Sequence, residues 1–268
     1  MTDYLTIAQK IACEAGDYLS SFSSDLHVQG KNSDYDFVTN ADIQSQSMIK
    51  RMLEDVFPSH IFIGEEDGLA DDVIARRLDA DPDLYFWIVD PLDGTQNYIK
   101  HLGGYSVSMA LYHGGQVLVG VTVVPSEHEV FSAERGSGAF RNEKQLHVSS
   151  CSSVHDAFFN SGIPTVNMTY RRRMISILSH VSMDSLNMRI IGSAARSMGL
   201  TAAGNFESYF ELGPHPWDVA AGWILVEEAG GMVTDFDGEP YRFGSQGVIA
   251  SNGVVHESLL GYIRKSHD

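Results

Sequence analysis

Cysteine is nearly absent from the chain. Its 268 residues include two, Cys13 and Cys151, with no Cys-x-x-Cys pair. That excludes a disulfide framework and a thiolate zinc site, and it fits a reducing compartment. Both read as buried free thiols. Positive charge is also scarce, with 18 Lys and Arg against 35 Asp and Glu and a formal net charge of −17. Such a chain repels nucleic-acid backbones, so a nucleic-acid partner is not expected. Its one compact basic run, Arg171-Arg172-Arg173, reads as a solvated helix face. No stretch approaches the roughly 20 apolar residues that cross a bilayer. Met1-Thr2-Asp3-Tyr4-Leu5 has no basic n-region leading into an apolar run. A soluble cytoplasmic protein is the expectation, with no membrane partner. His101, His113 and the other histidines show no metal-ligand spacing and read as structural or surface residues. Gly136-Ser137-Gly138 has no Gly-Lys-Ser/Thr after it and reads as a hairpin turn, not a phosphate loop.

No repeat, low-complexity tract or long linker divides the chain, so a single domain over 1–268 is expected. It would comprise an N-terminal lobe to about 145 with an antiparallel sheet and a C-terminal lobe of alternating helices and strands. Helical spacing of Leu5, Ala8, Ile11, Ala15 and Leu19 predicts a helix over about 2–22. Gly30 to Tyr35 is a polar loop, and a second helix over about 41–57 is capped by Thr39 or Asn40. Ile61–Gly64 and Tyr85–Val89 read as strands, separated by an acidic surface excursion over 67–83. Residues 105–112 and 116–124 form a hairpin about His113-Gly114-Gly115, continued by 130–133 and 139–140. Beyond these, strands are expected at 157–159, 189–191, 208–210, 232–236 and 248–250, and helices at 168–180, 194–203, 216–228 and the C-terminus. A meander followed by alternating elements predicts layered sheets and helices.

Acidic groups stand where elements end: Glu65-Glu66 after one strand, Asp90 and Asp93 after another, and Asp218 in the first turn of a helix. Pro91 fixes the backbone between Asp90 and Asp93, and Gly94 permits a close approach to a ligand. Two ionised carboxylates this near repel each other, and a hard divalent cation resolves the repulsion. An oxygen-only donor set selects Mg²⁺, or Mn²⁺ as a substitute, over zinc. Taken alone, Asp-x-x-Asp is weak evidence and more often an Asp-Pro turn than a metal site.

The longer string removes that ambiguity. Asp90-Pro91-Leu92-Asp93-Gly94-Thr95-Gln96-Asn97-Tyr98 resembles the signature of the inositol monophosphatase family. Trp217-Asp218-Val219-Ala220-Ala221-Gly222 is similar to the family's second signature, Gly64-Glu65-Glu66 to its glutamate motif, Val38-Thr39-Asn40-Ala41-Asp42 to its early segment, and Gly192-Ser193-Ala194-Ala195 to its small-residue loop. The order and spacing match from about residue 30 to 250. The resemblance implies an αβαβα sandwich, in a homodimer, that hydrolyses a small phosphate monoester with two or three Mg²⁺ and is sensitive to Li⁺. It implies one metal on Glu65, Asp90 and the Leu92 carbonyl, and a second on Asp90, Asp93 and Asp218. Thr95, supported by Asp42, would position and activate the attacking water, with Glu65 also serving catalysis. Phosphate would meet backbone N–H groups near Gly94 and Thr95 and the helix beginning at Asp218, with Asp93 and Asp218 beside it. Ala194 and Glu211 would meet the alcohol. These roles agree with phosphoryl-transfer physics, which asks for positioning and charge neutralisation.

Other residues keep two readings. Glu66 supports the ligands or is simply solvated. Lys31 is a surface lysine in preference to a phosphate contact. His215 lines the pocket or belongs to a loop. Trp217 packs its helix in preference to stacking a substrate. Gln96, Tyr98 and His101-Leu102-Gly103-Gly104 depart from the family pattern, which bears on substrate choice and not on the ligands. Related phosphatases of 3′-phosphoadenosine 5′-phosphate, histidinol phosphate or fructose 1,6-bisphosphate are the alternatives, the last disfavoured for want of basic residues to hold a second phosphate. An additional role in transcription antitermination is a further one.

Overall fold

The computed structural model describes residues 3–22, 25–31 and 35–266. Asp3 caps the first helix, α1 (Tyr4–Ser21), by accepting from the Thr6 N–H, and Ala8, Ile11, Ala12, Ala15 and Leu19 form its buried stripe. The expected start at Thr2 lies outside the described residues, as do Asn32, Ser33 and Asp34 of the polar loop. That loop joins two short strands absent from the sequence reading, β1 (Val28–Gly30) and β2 (Phe37–Thr39), which pair antiparallel. Thr39 caps α2 (Asn40–Val56).

After β3 (Ile61–Gly64) and a 3-10 turn, the acidic excursion is in fact a helix, α3 (Asp71–Ala80). It is anchored by Ile74 and Leu78, one turn apart and both buried. Two apolar residues in an acidic segment are too faint a pattern to stand out in the sequence. Next come β4 (Phe86–Asp93), α4 (Thr95–Ile99), β5 (Ser106–His113), β6 (Gln116–Val124), β7 (Glu129–Glu134), β8 (Gly138–Arg141) and β9 (Lys144–Gln145). The second half contains β10 (Phe158–Ser161), α5 (Met168–Asp184), β11 (Asn187–Arg189), α6 (Ala194–Ala202), β12 (Ser208–Leu212), α7 (Pro216–Glu228), β13 (Met232–Thr234), β14 (Gly247–Ser251) and α8 (His256–Lys265). β11 lies two residues before the expected 189–191, because Asn187–Arg189 is the stretch in register with Phe158–Asn160.

Among the described residues, β1 and β2 form a small sheet of their own, and of the two larger sheets the first runs β3-β4-β5-β6-β7-β8-β9 and the second β11-β10-β12-β14-β13. Strand alternation sorts the side chains of the first sheet. Trp87, Val89, Val107, Met109 and Val121 face α1 and α2, while Phe86, Ile88 and Ala110 face α7. β4 is buried on both faces, which explains its uninterrupted apolar run. Tyr209, Val248 and Ala250 of the second sheet join the α6 and α7 layer, and Phe159, Phe210 and Ile249 pack under α5 and α8. The order α1/α2, sheet, α6/α7, sheet, α5/α8 is the expected αβαβα sandwich. β3 and β4 are parallel, so Glu65 and Asp93 leave the sheet at the same edge. Among the described residues, no helix is long and apolar enough to cross a membrane.

Candidate active site

Between Asp90 and Asp93 the pairing with β5 slips. Asp90 is opposite Ser108 and Asp93 opposite Ser106, three steps on one strand against two on the other. In a regular strand residues three apart point to opposite faces. The extra residue of this bulge returns both carboxylates to one face, toward α7. Gly94 then turns the chain at φ +85°, so close to Gly192 that a Cβ would lie 2.9 Å from its carbonyl oxygen. Only glycine is comfortable there, and the turn delivers Thr95 to the start of α4.

Asp93 is the most heavily bonded carboxylate. Its Oδ2 accepts from Ser193 Oγ at 2.5 Å, the Ala195 N–H at 2.9 Å and Ser106 Oγ at 3.1 Å, and its Oδ1 from the Ala194 N–H at 3.3 Å. Asp90 Oδ1 accepts from the Leu92 N–H at 2.9 Å. Asp218 is the third residue of α7, and its Oδ2 accepts from the His215 N–H at 2.7 Å, a capping contact. Asp42 likewise caps α2, with Oδ2 taking the Thr39 N–H at 2.9 Å and Oδ1 standing 3.1 Å from Thr95 Oγ1. The same hydroxyl is 3.1 Å from the Leu92 carbonyl oxygen.

Burial pushes the carboxyls of Asp90, Asp93 and Asp218 above the usual carboxylate range. Neighbouring negative charges add to this at Asp90, from Glu65, Asp93 and Asp218, and at Asp218, from Asp93 and Glu65. Asp42, fully buried, is pushed up to about 6 by burial, against its bonds from Thr39 and Thr95. Lys31 is not the surface lysine preferred from sequence. Its Nζ lies 2.6 Å from both Glu65 Oε1 and Glu66 Oε1. Burial would lower its pKa, but the two glutamates outweigh that and raise it. Glu66 is therefore engaged in the site and is pushed up to about 7 by burial and by Glu65.

Lys31, Glu65, Glu66, Asp90, Asp93, Thr95 and Asp218 line a cleft of about 1030 Å³, together with Gly94, Ala194, Glu211 and Trp217, and the fully buried Asp42 meets it through Thr95. The Tyr209 hydroxyl donates to Glu211 Oε2. Burial, with the charge on Asp93, pushes Glu211 up to about 7 against that bond. His215 lines the cleft as well. Its Nδ1 is 2.9 Å from Asp71 Oδ1 and its ring stacks on Trp217 at 5.0 Å. Burial lowers its pKa, but Asp71 and Asp218 outweigh that and raise it to about 9. Trp217 is buried at the helix start, as expected.

Sequence reasoning missed Tyr209 and Asp71, named Ser193 only as part of the small-residue loop and not as a partner of Asp93, and misplaced Arg171. Arg171 was read as a solvated face, yet it donates to the Pro164 carbonyl at 3.0 Å, stacks over Tyr35 at 5.0 Å and lines the cleft mouth. Arg173 packs over Phe236, leaving Arg172 as the exposed member of the run. Cys13 and Cys151 are free, but half-buried instead of fully buried. Ser193 caps α6, and a serine just before a helix is a signal that sequence can carry.

Among the described residues, no three His, Cys, Asp or Glu side chains form a ready metal cage. The donor set nevertheless suits a hard cation: it is all oxygen, buried at Asp90 and Asp93 and half-buried at Glu65 and Asp218, and held against its own repulsion.

The chain matches the model of the inositol monophosphatase family over residues 1–268. A Mesorhizobium japonicum protein named inositol-1-monophosphatase is 33% identical over 230 residues, covering 86% of this chain and 84% of its own. A Nus factor SuhB from Escherichia coli K12 is 33% identical over 266 residues, covering 98% and 97%. The solved structure of an IMPase from Thermotoga maritima aligns with a TM-score of 0.87 at 30% identity, covering 99% of this chain and 98% of its own. With the cleft, its carboxylates and the five-layer sandwich in agreement with that match, the chain belongs to the inositol monophosphatase family.

Proposed function

We propose that the chain hydrolyses inositol monophosphate to inositol and phosphate, with water as the nucleophile and Mg²⁺ as cofactor. The observation that carries this is the convergence of Glu65, Asp90, Asp93 and Asp218 on one cleft beside the Thr95–Asp42 pair. Glu65, Asp90, Asp93, Asp218 and the Leu92 carbonyl would hold the cation, which supplies charge neutralisation at the phosphate and acidifies water. The chain's own groups do the rest. Thr95 Oγ1, within reach of Asp42 Oδ1, orients the attacking water and hands a proton toward Asp42, whose pKa of about 6 lets it accept one near neutrality. The backbone N–H groups of Gly94 and Thr95, where α4 opens, offer donors to phosphate oxygens, and the positive end of α7 faces the same cleft. Ala194 and Glu211 meet the alcohol, with Glu211 accepting from vicinal hydroxyls. A homodimer is the assembly proposed from family membership.

A phosphate-release assay over a panel of polyol, sugar, nucleotide and aryl phosphates tests this reading. Turnover of inositol monophosphate that is lost in chelator and restored by Mg²⁺ is the expected result. Full turnover in excess chelator would refute it. The Nus factor name of the Escherichia coli relative supports a second reading, a protein-binding role carried beside catalysis. The complete carboxylate set argues that such a role is additional.

A further inference from the structure

Asn160, on β10, is buried with both atoms of its amide lacking a hydrogen-bond partner, alone in this among the described residues. A primary amide carries two donors and an acceptor, and leaving all of them unmade in the interior is costly. Its neighbours show what the amide serves. Phe159 turns toward α5 and α8, so Asn160 turns to the opposite face, where its partner in register is Tyr209. Two residues further along, Gly162 leaves its side-chain position empty, and Glu211 fills it. A Cβ on Gly162 would lie 2.1 Å from Glu211 Oε2. The Tyr209 hydroxyl donates to that same oxygen. Ser161, Gly162, Tyr209 and Glu211 all line the cleft, and Asn160 lies one row beneath them.

We propose that Asn160 is a positioning residue for alcohol recognition. Its amide anchors one buried water that accepts from Nδ2 and donates to Glu211, which fixes that carboxylate to face the vicinal hydroxyls of a polyol phosphate. Buried waters occupy sites that offer two to four polar partners. The amide, the carboxylate and the Tyr209 hydroxyl supply them here. The inference rests on the role proposed for Glu211. It explains why a strand in the middle of a sheet carries an amide where an apolar residue of equal volume would pack without cost.

The test is Asn160→Leu, which keeps volume and removes both polar atoms. The expected result is a KM for inositol monophosphate raised about three- to tenfold with kcat little changed, the scale of one lost hydrogen bond. Hydrolysis of p-nitrophenyl phosphate, which has no hydroxyls to recognise, stays as in the parent. Asn160→Ser, which keeps a polar group and leaves room for water, recovers most of the affinity. An unchanged KM in Asn160→Leu, or equal losses on both substrates, overturns the inference while leaving the proposed function intact. Should the parent hydrolyse the aryl phosphate but no polyol phosphate, the substrate reading falls and this inference with it. A crystal structure of the parent decides the matter if the leucine variant does not fold: a water bridging the Asn160 amide and Glu211 supports the inference, and a dry amide overturns it.

Discussion

Asp93→Asn separates the two duties of the central carboxylate. Three donors meet at Oδ2, at 2.5, 2.9 and 3.1 Å, and one more distant N–H, of Ala194, reaches Oδ1 at 3.3 Å. An asparagine can set its carbonyl at the Oδ2 position and keep three bonds, but its NH₂ then faces the Ala194 N–H. Turning charged bonds into neutral ones loses about 1 kcal/mol each, so the variant forfeits roughly 3–4 kcal/mol of hydrogen bonding. Against that stands burial, which holds the Asp93 carboxyl above the usual range in spite of all four donors. The charge therefore costs more than the donors return, and it also repels Asp90 and Asp218. The cation-free variant should be about as stable as the parent or more so. The parent should gain about 2.7 kcal/mol from Mg²⁺ at a hundred times its Kd, a rise of roughly 5–10 °C in Tm for a chain of this size. The variant should lose most of that rise and roughly a hundredfold or more in kcat. Calorimetry with and without MgCl₂, beside phosphate release, reads both. A variant that keeps the parent's Mg²⁺-dependent rise and near-normal turnover would mean that Asp93 holds no cation.

Glu211→Gln should leave Mg²⁺ activation unchanged and lower kcat/KM for inositol monophosphate by about five- to a hundredfold, from about 1–3 kcal/mol of lost charged hydrogen bonding. An aryl phosphate should change much less, and equal losses would assign Glu211 to the cation or the fold. Acidity should stabilise the cation-free protein. Asp42 at about 6, Glu66 and Glu211 at about 7, and Asp90 and Asp218, raised well above the usual carboxylate range, all bind protons more tightly folded than unfolded. Stability then rises as pH falls through those folded values toward the unfolded values near 4. Tm without Mg²⁺ should thus be higher at about pH 5.5 than at about pH 8, a flat or opposite slope would refute the assignment, and saturating Mg²⁺ should reverse the trend because ligation needs ionised carboxylates. Gly94→Ala sets a side chain at φ +85° and 2.9 Å from the Gly192 carbonyl. Left-handed backbone costs a non-glycine residue about 1–2 kcal/mol before that clash is relieved, so Tm should fall by several degrees and kcat by about tenfold or more. Wild-type kinetics in Gly94→Ala would show that the turn does not hold Thr95 in place.

Elements whose apolar pattern is dense were legible in the sequence. α7 was read at its observed bounds because proline opens it and Gly230-Gly231 follows it. β5 and β6 were found because a Gly-Gly turn joins an alternating run, Val107, Met109 and Leu111 between smaller residues, to a valine-rich one. α3 escaped because Ile74 and Leu78 alone bind it to the core. β1 and β2 escaped because three-residue strands, one exposed throughout and the other mostly half-buried, are too short to leave a periodic trace.

The site divides along the same line. Asp90 and Asp93 were visible as a pair, but the bulge that turns them to one face is a property of register with Ser106 and Ser108, which no local window contains. Lys31 was read as a surface residue because a lysine in a polar loop ordinarily is one. What overrides that habit is the charge of Glu65 and Glu66, delivered by the parallel pairing of β3 with β4 more than thirty residues away. Asn160 and Tyr209 carry the same lesson. Each sits in a strand that reads as ordinary core, and only the register between β10 and β12 places them beneath Glu211. A carboxylate announces chemistry by its type and by its place at a strand end. The neutral groups that aim it gain their meaning only from the partner strand, so they emerge when the sheet is assembled and not before.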